Sequence, residues 1–404
     1  MAKLDGVRVI DLTRVLAGPL TTQMLADLGA EVIKVEQPRS GDEARSYGPP
    51  FAGAESAGGS AFFLGANRNK QSITIDFSKA EGQQLVRDLV RDADVVIENF
   101  RVGTLARYGL DYESLRETNP RLIYCSITGF GQDGPYRERP GYDAIFQSMG
   151  GLMSCIGRPD HEPGGGPMRT GLSITDVITS LYADIAVVAA LYSREARGGQ
   201  GEHIDIALLD STVAAMSHYA MSYLISGNVP ARRGNGGNGG VPSQVFHCSD
   251  GAIMLTVGND GQFVRFCGAL GVPQLAADPR FSLGVERIRH RDTLVPMLEG
   301  IFLTRDKQHW LDALVAVDIP VGPINDMAAV FADPQVRHRG LRRAVDGDAF
   351  GAVDLVANPI RYARDPIERY DAPPLLGEHT AAVLSRLLGL DAQGLESLRA
   401  KAVI

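Results

Sequence analysis

The sequence has few cysteines, one tryptophan and no surplus of positive charge, and each shortage removes a class of function. Its four cysteines, Cys125, Cys155, Cys248 and Cys267, are spaced too widely and irregularly for a disulfide framework or for paired CxxC metal ligands. The simplest reading of that usage is a reducing, cytoplasmic compartment. Forty Lys and Arg against 48 Asp and Glu leave a net charge of −8, so the chain as a whole carries no cationic footprint for a nucleic-acid backbone. No run is expected to supply the roughly 18–20 apolar residues of a membrane span. The opening MAKLDGVRVIDL lacks the apolar core of a secretory signal and the Arg/Ser-rich body of a transit peptide. None of the eight histidines has another three or four positions away, so no metal site is expected; no permanently bound cofactor is expected either. Walker A, HExxH and GxSxG patterns are missing as well, which withdraws support from P-loop, zincin and α/β-hydrolase chemistry.

Glycine is the residue in excess, with 46 among 404 residues, about 11% against a usual figure of about 7%. Otherwise the composition is that of an ordinary globular chain, 44% hydrophobic and 22% charged, and at about 150 residues per domain the length predicts two or three domains. Strand-like runs at 6–12, 31–35, 72–75, 95–98 and 122–127 alternate with helical segments at 20–28, 79–91 and 112–117. That alternation predicts an α/β fold with a parallel sheet wound by helices on both faces. A long Ala- and Leu-rich helix is predicted over 173–194, a strand over 202–206 and one helix over 208–225. The stretch 232–240, RRGNGGNGG, then concentrates the glycine. A strand-turn-strand signal follows at 245–257, helices run through Trp310, IPVGPI at 319–324 marks a boundary, and a last helix covers 380–388.

Three features could carry chemistry. Gly129, Gly131 and Gly134 form a literal GxGxxG after a predicted strand, but Pro135 and Pro140 follow, so no helix N-terminus can receive a pyrophosphate and the motif reads as a tight turn. Asp176 opens the long apolar helix, where a carboxylate complements the helix dipole or serves as a reactive group. The run containing Gly234, Gly236, Gly237, Gly239 and Gly240, with Asn235 and Asn238 between them, is either a flexible linker or a mobile lid whose backbone approaches a ligand closely.

Taken together, VIDLTRVLAGPLTTQMLADLGAEVIKVEQP, NRNKQSITID, DVVIENF, SITGFGQDGPYRERPGYD, Asp176 and PLLGEHT resemble the class III CoA-transferases over essentially the whole chain. The likeness is strongest to the branch that moves CoA from succinyl-CoA to glutarate-type dicarboxylic acids. The resemblance implies a Rossmann-like doubly wound large domain and a smaller α+β domain in an interlocked, ring-like homodimer. The large domain would comprise residues 1–225 and a return segment 326–404, and the small domain 226–325. It also implies that Asp176 is the nucleophile and that Val15, Leu16, Ala17, Lys70, Asn99, Phe100 and Arg107 bind CoA, with Lys70 and Arg107 as cations for phosphates. The glycine run would be the lid. Tyr142, Arg45, Arg68 and Arg169 are candidates for the substrate pocket, and Leu16 stands where formyl-CoA transferases carry Gln. An aspartate with an ordinary pKa of about 3.9 would be ionised at neutral pH and need no base. The alternatives are an enzyme resembling α-methylacyl-CoA racemase and a catalytically silent CoA-ester-binding protein. Tyr142 occupies the position of the racemase histidine, and a tyrosine is a poor proton acceptor at neutral pH.

Overall fold

A computed structural model describes residues 2–54, 58–237, 239–347 and 350–404. The βα alternation folds into six strands, β1 (Arg8–Asp11), β2 (Glu31–Glu36), β3 (Lys70–Thr74), β4 (Val95–Glu98), β5 (Ile123–Thr128) and β6 (His203–Ala207). They lie in the order β3-β2-β1-β4-β5-β6 with every neighbouring pair parallel. Successive side chains of a strand point to opposite faces, and both faces are covered. Ile10, Ile33 and Val96 join one core with Leu85, Val86 and Leu89 from the helix Ala80–Val90. Val9, Val32 and Val95 join the other with Leu25 and Ala26 of the first helix (Ala17–Asp27) and Ala183 and Val187 of the long helix (Ile174–Arg197). Burial on both faces is why a central strand such as β4 reads as an apolar run, VVI, while the edge strand β6 alternates as HIDIA. The strand order reverses between β1 and β4, so connections leave their C-terminal ends in opposite directions and a crevice opens between them.

The chain divides into two compact units, one of 1–152, 170–226 and 334–404, the other of 153–169 and 227–333. The division differs from the sequence reading in two respects. Residues 153–169 belong with the second unit because they bond to the glycine-rich stretch: the Gly234 N–H donates to Gly157 O at 2.9 Å, and Arg232 pairs with Asp160. The IPVGPI stretch is no boundary, since its Val321–Pro323 forms β9. This strand pairs antiparallel with β8 (Gly251–Thr256), which pairs with β7 (Ser243–Cys248) over an aromatic core that includes Phe246, Phe302 and Trp310.

The return segment adds a hairpin of β10 (Arg342–Gly347) and β11 (Gly351–Val356) and the helices Thr380–Leu388 and Ala392–Ala400. It is stitched to the sheet's β3 edge, where His379 N–H donates to Ser72 O at 2.9 Å and Asp76 N–H to Val403 O at 2.7 Å. Two helical expectations need correction. The single helix predicted over 208–225 is two, Leu208–Ala215 and Ser217–Ser226, broken where Ser217 takes a positive φ of 42°. The long helix carries an 18-residue window of mean hydropathy 1.7, long and apolar enough by composition to cross a membrane, although 44% of that window is buried in this fold.

Candidate active site

The crevice between β1 and β4 holds a cavity of about 220 Å³. Its walls bring together Val15, Leu16 and Ala17 from the turn after β1, Asn99 and Phe100 from the turn after β4, Tyr142, and Asp176. The turn after β1 is built from the strand outward. Buried Asp11 accepts the N–H and hydroxyl of Thr13 at 2.8 and 2.5 Å and the hydroxyl of Thr22 at 2.6 Å. The first helix then packs directly on Thr13, so closely that a Cβ on Gly18 would lie 2.4 Å from the Thr13 side chain. Only glycine fits there.

Asp176 sits in the first turn of the long helix, and its side chain makes no hydrogen bond to the described residues. Burial, and secondarily the negative charge of Asp143, raise its carboxyl to a pKa of about 7. The expectation of an ordinary, fully ionised aspartate is therefore corrected: this group titrates through neutrality. A raised pKa also makes the ionised oxygen more basic and a stronger nucleophile. Asp143 is occupied differently. One of its oxygens accepts the N–H and hydroxyl of Thr175 at 2.8 and 2.6 Å, and the other accepts Gln147 Nε2 at 2.6 Å. The two carboxylates share a site, but only Asp176 presents unbonded oxygens.

Five cations expected at the site lie elsewhere. Lys70 is fully buried and gives its three protons to Asp11, Pro19 O and Asn67 at 3.2, 2.9 and 2.8 Å, so it has none for a phosphate. Burial pulls its ammonium down to about 8 against the opposing pull of Asp11. Arg45 is buried against Glu36 and Pro374 O, and Arg68 against Asp27 at 2.5 Å. Both complete internal ion pairs. Arg107 and Arg169 are exposed and outside the lining of the cavity. Four arginines that the sequence reading passed over stand at the cavity instead: Arg14, Arg101, Arg137 and Arg139. Their signal was adjacency, since Arg14 precedes Val15, Arg101 follows Phe100, and Arg137 and Arg139 precede Tyr142. The Arg14 guanidinium stacks 4.7 Å from the Phe100 ring centre and that of Arg139 3.8 Å from Tyr136.

Residues 4–380 match the family model described as CoA-transferase family III. The chain belongs to that family. It is 48% identical over 389 residues to the succinate–glutarate CoA-transferase of Agrobacterium fabrum, covering 95% of each chain. It is 40% identical over 401 residues to the human succinyl-CoA:glutarate CoA-transferase, covering 99% of this chain and 90% of that one. A crystal structure of a CAIB/BAIF family protein from Brucella suis, 45% identical, superposes with a TM-score of 0.85 over 96% of this chain and 99% of that one.

This family III enzyme is thus a CoA-transferase. Tyr142, 68% exposed, flanks the cavity where a racemase would need a proton acceptor, and Asp143 is too fully bonded to replace one. The glycine run belongs to the second unit and borders that unit's own cavity of about 1140 Å³. There Gly237 N–H donates to Ser243 O at 2.8 Å and Arg291 Nη2 donates to Gly237 O at 3.0 Å. Gly239 and Gly240 follow, and a Cβ on Gly240 would approach Val257 O to 2.7 Å. Asn238 lies outside the described residues.

Proposed function

We propose that the enzyme moves CoA from succinyl-CoA to a small dicarboxylic acid such as glutarate, with Asp176 as the covalent carrier. The observation that carries this reading is the Asp176 carboxylate, without a hydrogen bond among the described residues and raised to about 7, in a cavity walled by the turns after β1 and β4. In the proposed cycle an Asp176 oxygen attacks the thioester carbonyl of succinyl-CoA, the C–S bond breaks, and a mixed anhydride forms as CoA leaves as thiolate. The thiolate attacks the aspartyl carbonyl, breaking the C–O bond to release succinate and leaving an aspartyl-CoA thioester. The acceptor carboxylate attacks that thioester, expels the thiolate and forms a second anhydride. Thiolate attack on the acceptor's carbonyl then yields the new CoA ester and regenerates Asp176. Atoms and charge balance without a metal or redox partner.

Val15, Leu16, Ala17 and Phe100 bind the pantetheine end in this reading, with the Asn99 amide turned to Arg14 behind them, and Arg14, Arg101, Arg137 and Arg139 are the cations available to phosphates and to the acceptor's second carboxylate. Each anhydride is water-sensitive, so the cycle needs a site closed to water during turnover. Two interlocked copies of the chain form the working enzyme, in a cytoplasmic setting. The test is an acceptor panel with succinyl-CoA, read by mass spectrometry of the CoA esters, with Asp176→Ala in parallel. Glutaryl-CoA or a related ester should form with the native protein, and the variant should lose at least about 10³-fold in kcat. Hydroxylamine added with succinyl-CoA should modify Asp176. An aspartate that stays unmodified, with no ester formed from any acid, would show a silent CoA-ester-binding protein.

A further inference from the structure

Val15 is a β-branched residue in the left-handed region, with a φ of 70°, a conformation that persists in such a residue only where its surroundings over-determine it. The surroundings do so from two sides. On the β4 side, Asn99 Oδ1 accepts Arg14 N–H at 2.9 Å and Asn99 Nδ2 donates to Arg14 O at 2.7 Å, gripping both polar groups of the preceding residue. On the β2 side, Asp42 Oδ1 accepts the N–H of Val15 itself at 3.1 Å.

Asp42 is fixed in its turn. It is 1% exposed, its N–H donates to Glu36 Oε2 at 2.9 Å, and the fully buried Lys34 ammonium lies 2.9 Å from its other oxygen while donating to Thr13 O at 2.8 Å. Burial alone would push the Asp42 carboxyl up, but Lys34 and the N–H groups of Ala44 and Val15 hold it below its ordinary value. Arg45, expected to meet substrate, instead clamps the same Glu36 through Nε at 2.8 Å and Nη2 at 2.7 Å. The buried charges beneath the crevice thus converge on one strained peptide at the cavity wall.

We propose that Asp42 and Asn99 are positioning residues that hold Val15 in its left-handed conformation and so fix Val15, Leu16 and Ala17 as a rigid wall of the Asp176 cavity. The proposal rests on the CoA-transfer reading above. Without the clamp the turn relaxes toward the ordinary β or α regions, and the wall that aligns the thioester carbonyl with Asp176 moves. Alignment errors of this kind lower kcat more than they raise KM.

The test compares Asp42→Asn and Asn99→Ala, each alone and each combined with Val15→Gly. Glycine adopts positive φ without strain, so it reduces the need for a clamp. Each single variant should lose about tenfold or more in kcat with a smaller change in KM for succinyl-CoA, and Val15→Gly should recover a part of that loss in both backgrounds. Hydrogen exchange of the amides in 12–18, measured without substrate, should quicken in both single variants. Asn99→Ala strands no buried charge, so it remains readable if Asp42→Asn folds poorly. Unchanged exchange in Asn99→Ala would overturn the clamp. Faster exchange with native kcat, or double variants no better than the singles, would overturn the positioning role. If the native protein transfers no CoA, the functional reading fails while the exchange measurement still decides the clamp.

Discussion

In the proposed cycle, a nucleophile that titrates near neutrality makes the reaction rate a report on its protonation. Below its pKa of about 7, Asp176 is a neutral acid with no lone-pair charge to deliver, so kcat/KM should rise with pH along an acidic limb centred near that value. Asp143 contributes to the shift through its negative charge, second to burial. Asp143→Asn removes the charge while keeping an oxygen that can accept the Thr175 N–H and hydroxyl. The limb should then move to lower pH by about 0.5–1 unit, with burial holding the remainder. A pH–rate profile of the variant that overlays the native one would show that Asp143 does not tune the nucleophile. Asp176 itself is legible in the sequence, as a carboxylate at the start of a long apolar helix. Its tuning is not, because the burial that dominates the shift is set by the fold, and the secondary charge comes from a different helix (Asp143–Met149) and acts only through space.

Helices and strands are legible where their pattern is decided locally, and less so where the decision lies in a neighbour. The helix Thr380–Leu388 has the predicted limits because glycines bracket it, Gly377 before and Gly389 in a left-handed C-terminal turn after. The β10–β11 hairpin escaped notice because its exposed, mixed residues carry little alternation. Lys70 was misassigned for a related reason, since no sequence pattern shows that its strand end is sealed beneath the first helix. The long helix hides another such case in Asp184. Both its carboxyl oxygens are buried without a hydrogen-bond partner among the described residues, and burial, with Asp27 nearby, raises it to about 8. Its folded pKa lies above its unfolded one, so the helix is most stable where Asp184 is protonated in both states. Stability is lost as pH climbs from the ordinary carboxylate range through about 8. Asp184→Leu should therefore raise the melting temperature by a margin that grows with pH across that window, corresponding to about 1–3 kcal/mol for a buried unsatisfied group. Calorimetry at pH 6 and pH 9 measures it, and a variant that melts lower than the native protein at both values would reveal a partner for Asp184.

At the scale of the whole molecule, the parallel sheet follows from the βα rhythm, whereas the order of its strands is set by how they pair, and the crevice follows from that order. The allocation of chain to units was harder to read, because 153–169 carries no element signal strong enough to reveal its bonding to the glycine run. The same scale governs association. Along the long helix Val177, Leu181, Ile185, Val188 and Tyr192 recur at spacings of three and four and stay exposed, Ile185 at 66% and Tyr192 at 76%. Such a spacing places them on one side of a helix, and a contiguous exposed apolar face of this kind is the mark of a surface that another chain covers. The homodimer proposed above supplies that chain, and Val177 adjoins Asp176, so the stripe begins beside the proposed nucleophile. Light scattering coupled to size exclusion should accordingly give twice the 43.3 kDa of one chain. Ile185→Glu sets a charge in the middle of the stripe and should yield aggregated or monomeric protein with little transferase activity, while the exposed Glu396→Lys on the C-terminal helix should leave mass and activity intact. A folded, fully active 43.3-kDa monomer would remove the dimer and would require the exposed stripe to be covered by something other than a second copy.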